Sequence, residues 1–419
     1  MNYNFYGVDT VYLAKKYGTP LYVMSEDYII ERCEEIKKDF LNKYENTFAV
    51  YAGKAFNTKT MCRIIAKEGL GLDVVSGGEL FTALSVNFPS QKIIFHGNNK
   101  SLDELTLAID NNVGRIVVDN ISELEQIIEL SKLKSKITKI LFRITPGVDS
   151  HTHSYISTGD INSKFGISLN EEILYKAIKI ATDSEFINLA GFHFHVGSQL
   201  DNNDSHLKAT TILLNTMQKA KNDLNFTTKE LNVGGGFGIK YADSNNRKNI
   251  SYFTDAIMEL IKTGTNDKNL DMPLVIIEPG RWIVGESGIT IYEIGNIKNA
   301  PGLSTYAGIN GGMPDNPRPA LYQAKYEALI ANKSNIEKNE IVTIAGKCCE
   351  SGDILIKDLE VPQVKKGDLL VVKSTGAYNY SMSNNYNKLP IPAVVMIKNG
   401  EDRIIVKRQS YEEMINREI

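Results

Sequence analysis

Six short segments carry side chains whose types and spacing could do chemistry. In YAGKAF, Lys54 follows an apolar run, where a partly desolvated amine would be primed for Schiff-base formation. In GFHFHVGSQ, His193 and His195 are two residues apart, so a strand would send both to one side. Such a pair suits a metal, or an imidazole lying flat on an aromatic group, with His195 the candidate for that role and His193 deeper and structural. VGGGFGI supplies Gly234, Gly235 and Gly236, whose N–H groups can approach an anion without side-chain obstruction. IIEPGRW supplies Glu278, a carboxylate able to keep a ring nitrogen protonated, with Arg281 close behind it. GKCCESGD offers the Cys349 thiol and Glu350, and GAYNYSMSNNYN offers Tyr378. Each segment alone has a plainer explanation: a surface lysine, a tight turn, a Glu–Arg ion pair, a buried thiol. No acidic or cysteine ligands stand near HxH in a recognisable order, so no metal is expected.

The elements that must position these residues give them more meaning. From about residue 26 to residue 285, short β-branched runs alternate with longer segments of helical period, the pattern of βα units around a parallel sheet. Eight strands are expected, at Thr47–Ala52, Gly71–Val75, Ile93–His96, Arg115–Asp119, Lys139–Thr145, Leu189–Val196, Glu230–Val233 and Leu274–Glu278. The intervening SLDELTLAIDNN, ISELEQIIELSKLK and SLNEEILYKAIKIATDS read as helices that open on or beside a serine, with acidic first turns. The fold class is therefore α/β, a (β/α)8 barrel that starts with a helix, SEDYIIERCEEIKKDFLNKY. Barrel enzymes keep their reactive groups at the carboxyl ends of the strands. Lys54 follows strand one, His195 strand six, the glycines strand seven and Glu278 strand eight, so all would share one mouth. The loops after strands seven and eight are also the usual phosphate site of a barrel.

After residue 285 the texture changes to short β-rich runs such as IVTIAG, LLVVKS, AVVMIK and DRIIVKR. The expected organisation is a barrel at 27–285 and an all-β domain at 286–419, joined by the N-terminal segment 1–26, whose PLYVMS reads as a strand.

Composition bounds the rest. Apolar residues at 42% and charged residues at 23% of 419 fit a globular protein of roughly two domains. A net charge of -3 without a basic stripe argues against nucleic acid as a partner. No export signal is expected from MNYNFYGVDTVYLAKKYGTP, and no stretch approaches the ~20 apolar residues of a membrane span, so a cytoplasmic location is the expectation. Cys33, Cys62, Cys348 and Cys349 are expected to be reduced thiols.

A lysine after strand one, a histidine after strand six, a glycine triplet after strand seven and EPGR after strand eight together resemble the fold-type III pyridoxal-phosphate enzymes, whose barrel is of the alanine-racemase type. Within that class LGLDVVSGGEL, HFHVGSQ, NPRPALY, CCESGD and GAYNYSMSNNYN are similar to the diaminopimelate decarboxylase family, from about residue 5 to residue 410. The resemblance implies pyridoxal 5'-phosphate as cofactor, carried on Lys54, with His195 stacked on its ring and Glu278 at its nitrogen. It places Ser198, Gly235, Gly236, the backbone of Glu278, Pro279, Gly280 and Arg281, and Tyr378 around the cofactor and its phosphate. Arg281, Arg318, Tyr322, Glu350 and Tyr378 would bind the substrate, the guanidinium groups taking carboxylates and Glu350 the distal ammonium. Cys349 would protonate the carbon from which carbon dioxide leaves, giving L-lysine from meso-2,6-diaminopimelate. The CCESGD loop would reach the partner's site in a homodimer.

Two departures from the family pattern touch this reading. Asn310 stands where an acidic residue is common before Gly311-Gly312-Met313, with Pro314 following, which bears on the Arg318 loop. NNYNKLPIP replaces a more basic stretch and reads as structural. Decarboxylases of D-ornithine, D-lysine, ornithine or arginine would share the cofactor apparatus, and Arg318 is the residue that separates them, because a second arginine suits a distal carboxylate. A non-catalytic regulatory relative would not need Lys54, His195, Glu278 and Cys349 together. A racemase of this fold would want a second-face base, commonly tyrosine, in place of Cys349.

Overall fold

The computed structural model describes residues 1–148, 163–242, 247–299 and 304–419. After a short hairpin of β1 (Asn4–Phe5) and β2 (Val8–Asp9) and the strand β3 (Leu21–Ser25), the chain enters eight strands. These are β4 (Thr47–Ala52), β5 (Gly71–Val74), β6 (Ile93–Phe95), β7 (Arg115–Val118), β8 (Thr138–Arg143), β9 (Ile187–His193), β10 (Glu230–Asn232) and β11 (Leu274–Ile277). All eight pair in parallel and close into a barrel, with β11 hydrogen-bonded back to β4. The barrel falls in one compact unit, Arg32–Gly238 with Arg247–Trp282. The eight expected strands are all present, most of them ending one to three residues early. The ladder stops where successive loops diverge, although His96 N still donates to Val74 O at 2.8 Å and Glu278 N to Gly234 O at 2.8 Å.

Helices fill the intervals and start where side-chain caps satisfy the first N–H groups. Ser101 and Glu104 form a reciprocal capping box at Leu102–Asp110. Asn120 caps Ile121–Leu133 and Asn170 caps Glu171–Thr182, so asparagine takes the position that the neighbouring serines suggested.

Pleat alternation sorts the inward residues of the barrel into three layers. At the amino ends, Arg115 makes a two-pronged ion pair with Glu230 at 2.5 and 2.9 Å, and Lys139 joins it at 3.1 Å. Above lies an apolar plug of Val50, Ile94, Val117, Leu141, Ala190 and Ile276. Beyond it come the polar groups of the mouth: His96, Asp119, Arg143 and Glu278, each two residues after a plug residue, together with Asp73, His193 and Asn232. The strand β9 needs a bulge to join this scheme. Ile140 pairs with Leu189 but Leu141 pairs with Gly191, so β9 spends an extra residue at Ala190. That shift turns His193 inward and sends Phe192 outward, where its ring meets Phe226 at 5.9 Å.

The second unit comprises Met1–Glu31, Ile239–Asn246 and Ile283–Ile419. Its strands are β12 (Gly288–Lys298), β13 (Thr305–Ile309), β14 (Ala328–Ile330), β15 (Glu340–Ala345), β16 (Ile354–Val361), β17 (Leu369–Val372), β18 (Ala393–Lys398) and β19 (Glu401–Val406). They form a sheet of order β16-β15-β13-β12-β3-β18-β19, with β17 pairing β12 and β14. The strand β3, from PLYVMS, lies between β12 and β18 in this sheet. Among the described residues no helix is long and apolar enough to cross a membrane.

Candidate active site

Glu278 sits just past the end of β11 at the centre of the barrel mouth, 6% exposed. Its Oε1 accepts from Asn232 Nδ2 at 2.6 Å and lies 2.8 Å from His96 Nε2, while Oε2 is 3.3 Å from His193 Nε2. Burial by itself would raise this carboxyl, yet the neighbouring His96 and His193 hold it well below the ordinary carboxylate range. Burial likewise works against a charged His96, but Glu278 and Asp73 beside it outweigh that effect and raise it. His193, buried and with both ring nitrogens lacking an aligned hydrogen bond, is pushed down to about 4 and stays neutral. Asp73 is pushed up to about 6, mainly by burial.

The remaining barrel candidates surround this centre. Lys54 lies exposed in the turn Gly53–Ala55 that follows β4. His195 is half-buried, and its Nδ1 accepts from Gly235 N at 3.4 Å. Burial first, and then the charges of Lys54 and Arg143, keep His195 well below the ordinary imidazole value, so the ring is neutral. Arg281 Nη2 donates to Ser198 Oγ at 3.0 Å, which ties the EPGR segment to the loop after β9. Pro279 O accepts from Ala52 N at 3.3 Å, and a Cβ on Gly280 would come within 2.9 Å of Ala52 Cβ.

The glycine triplet has the geometry of an anion cradle. Gly234 and Gly236 take φ of +72° and +93°, flanking Gly235, an alternation that turns successive N–H groups to one side. A Cβ on Gly235 would sit 2.1 Å from Glu278 O, and one on Gly236 2.2 Å from Gly197 O. Behind the cradle, buried His206 donates from Nε2 to Gly235 O at 2.9 Å and stacks on Phe237 at 5.3 Å. A ring nitrogen at Glu278, a phosphate at Gly235 and Gly236, and a carbonyl at Lys54 would each meet the group suited to it, so these residues fit pyridoxal 5'-phosphate. His96, His193 and Glu278 also hold donor atoms within 4.8 Å of one another, close enough to share a cation. A cation there and a ring at Glu278 would exclude each other.

Asp73, His96, Asp119, Arg143, Asn232 and His206 escaped the reading of the sequence. For the first five the signal was present: each follows an inward apolar or small residue by two positions, or an inward polar one by the same step. His206 lies in the helix Asp204–Leu224, and nothing local distinguishes it from a core histidine.

The other candidates belong to the second unit. Arg318 begins the helix Arg318–Tyr322 and is 7% exposed, its Nη1 donating to Tyr326 OH at 2.6 Å and Tyr241 OH at 3.1 Å. Tyr322, on the same helix, is half-buried. Asn310 does not organise this loop: it accepts from Glu293 N at 3.0 Å and donates to Thr19 Oγ1 at 2.7 Å. The acid that does so is buried Asp315, whose carboxylate accepts from Gly312 N at 3.0 Å and from the Tyr292 hydroxyl. Asp353 accepts from Met313 N at 2.7 Å and Cys348 N at 2.9 Å, binding this loop to the CCESGD loop. Cys349 and Glu350 are exposed on the latter, and Cys349 N donates to Asn387 Oδ1 at 2.9 Å. The segment NNYNKLPIP thus braces the cysteine backbone. Tyr378 is half-buried at a φ of +69° in the turn after β17.

Residues 26–285 match the model of the pyridoxal-dependent decarboxylase pyridoxal-binding domain. The chain belongs to the pyridoxal-dependent decarboxylases. Over 409 residues it is 46% identical to the diaminopimelate decarboxylase of Bacillus subtilis, covering 98% of this chain and 93% of that one. The corresponding protein of Bacillus methanolicus is 47% identical over 403 residues, 96% of this chain and 93% of the other. Among solved structures, the diaminopimelate decarboxylase of M. jannaschii superposes with a TM-score of 0.93 at 36% identity, over 100% of this chain and 96% of that one. The same enzyme has been solved in complex with L-lysine, with the same similarity to this decarboxylase chain. Pyridoxal phosphate is thus the cofactor of the barrel, as the residues at its mouth require.

Proposed function

We propose that this chain removes carbon dioxide from the D-configured centre of meso-2,6-diaminopimelate to give L-lysine, the last step of lysine biosynthesis. The observation that carries the reading is the buried ring of Asn232, His96 and His193 around Glu278, adjoining a glycine cradle, on a chain similar to diaminopimelate decarboxylases along its length. Bound there, pyridoxal phosphate supplies an electron sink for the pair left when the carboxylate departs.

The protein's own residues do the rest. Lys54 would carry the cofactor, its amine free to act again at product release. The ionised Glu278 would keep a proton on the ring nitrogen, and neutral His195 would face the ring without adding charge to it. Gly235, Gly236 and Tyr378 would hold the phosphate, with Ser198 steadying Arg281. Arg281 and Arg318 orient the substrate carboxylates and Glu350 the distal ammonium, with Tyr322 alongside. Cys349 gives the proton on Sγ to the carbon that has lost carbon dioxide. Arg318 favours a substrate with a distal carboxylate over ornithine or lysine, because a guanidinium already fixed by two phenols is pre-set to receive a planar anion.

The site is completed across a homodimer, with the Cys349 loop of one protomer serving the barrel of its partner. An exposed thiol in this role needs a reducing compartment, which supports a cytoplasmic location. The direct experiment is to supply purified protein with meso-diaminopimelate, ornithine, lysine or arginine and measure carbon dioxide. Release confined to meso-diaminopimelate, with stoichiometric L-lysine, is the expected result. Equal turnover of ornithine overturns the assignment of substrate.

A further inference from the structure

Three buried side chains from three different strands converge on Glu278, and only part of that arrangement is explained by holding a cofactor nitrogen. His96 follows β6 and stands between two carboxylates: its Nε2 is 2.8 Å from Glu278 Oε1 and 3.8 Å from Asp73 Oδ1. The side chains of His96 and Asp73 are 6% and 4% exposed. Neither His96 Nε2 nor Asp73 Oδ1 has an aligned hydrogen-bond partner, so what joins them is charge held in place by packing. His193 crosses the His96 ring edge-on, with centroids 4.7 Å apart, and fixes the plane of that ring.

We propose that His96, flanked by Asp73, is the positioning residue that holds Glu278 as a fixed, ionised carboxylate facing the cofactor nitrogen. This inference rests on the reading that Glu278 meets that nitrogen. With Oε1 hydrogen-bonded by Asn232 Nδ2 and 2.8 Å from His96 Nε2, and Oε2 3.3 Å from His193 Nε2, the carboxylate is held from both sides. The charge balance is consistent. Facing His96 are the carboxylates of Glu278 after β11, Asp73 from β5 and Asp119 after β7, the guanidinium of Arg143 from β8 and the neutral imidazole of His193 from β9. Three carboxylates against one guanidinium favour an imidazolium at His96, while His193, on the far oxygen, remains neutral. Without that cation, Glu278 and Asp73 would be two buried carboxylates on either side of a neutral ring, each raising the other, and one of them would take up a proton. A protonated Glu278 could no longer keep the ring nitrogen charged.

The test uses the holoenzyme loaded with cofactor labelled with 15N in the ring, whose chemical shift reports protonation of that nitrogen. His96→Gln keeps an amide near the position of Nε2 and removes the charge. The expected result is a ring-nitrogen signal moved toward the neutral form at pH 7, with cofactor affinity of the apoprotein weakened about tenfold and an unchanged circular dichroism spectrum. Asp73→Asn should move the signal the same way by a smaller amount, and His193→Gln should leave it in place. A His96→Gln holoenzyme with the wild-type ring signal and affinity overturns the proposal. Glu278→Gln separates the two levels: if it too leaves the ring signal unchanged, the reading of Glu278 fails, whereas a shift seen only in Glu278→Gln removes His96 alone. Should His96→Gln not fold, 15N-histidine spectra of the unmodified holoenzyme decide, since a neutral His96 at pH 7 sinks the idea.

Discussion

Single residues here act through the company burial forces on them. His206 is fully buried and neutral, with its ordinary value of 6.5 pushed down to about 4 by burial. Its folded value lies below the unfolded one, so its contribution to stability is complete above pH 6.5 and is lost as pH falls toward 4. The size of that loss is on the order of 3 kcal/mol. Urea unfolding of the apoprotein between pH 7 and pH 4.5 should therefore show a decline that His206→Gln makes shallower by that share, while His193 and His195 keep theirs. The same residue props the Gly235 carbonyl, so the variant should also bind cofactor more weakly at pH 7, as fluorescence titration would show. Arg318 makes a second case. Removing one hydroxyl with Tyr326→Phe leaves a buried guanidinium short of an acceptor, at a cost of roughly 1–3 kcal/mol. We expect KM for meso-diaminopimelate to rise by about tenfold or more while kcat changes little, and a fall in kcat alone would contradict the binding role.

Elements set what the residues can do, and here the sequence was legible in some places and opaque in others. All eight barrel strands could be read because β-branched runs bounded by capped helices leave little choice of period. Lys54, His195, Gly235 and Glu278 could be placed at strand ends for the same reason. Asp73, His96 and Arg143 were missed although alternation points to them, because one polar residue in an apolar strand looks like noise until the apolar layer beneath it is known. His206 was invisible for a different reason: its partner is a backbone carbonyl 29 residues away. The loop from Asn310 to Arg318 misled through its one conspicuous departure, since buried Asp315 and Asp353, not residue 310, organise it. Backbone geometry gives the sharpest element-level test. In Gly235→Ala the new Cβ would lie 2.1 Å from Glu278 O, so the cradle and the strand end must separate. The expected outcome is a cofactor affinity lowered by more than tenfold with the fold intact by circular dichroism.

At the scale of the whole molecule, the candidate residues divide between two units. The barrel unit holds Lys54, His195 and Glu278, while the sheet unit holds Arg318, Cys349 and Tyr378. If the sheet unit of one protomer completes the barrel of its partner, two inactive variants should rescue each other. Mixing Lys54→Ala with Cys349→Ala under conditions of subunit exchange should restore about a quarter of wild-type activity, since half of the dimers are mixed and each has one intact site. No recovery, with exchange verified by differently tagged protomers, would show that each protomer completes its own site. Lys54→Ala by itself should lose the visible absorbance of lysine-bound cofactor.

The bulge at Ala190 carries a consequence for how this chain can vary. The strand β9 has one residue more than its span requires, and that surplus alone decides which way the residues after it face. Were Ala190 taken into the ladder opposite Leu141, the strand would run straight with every hydrogen bond made. Phe192 would then swing into the mouth and His193 outward beside Phe226. Register, more than composition, is what this strand cannot lose: a slip of one residue beyond the bulge would leave the barrel closed and its chemistry facing the wrong way.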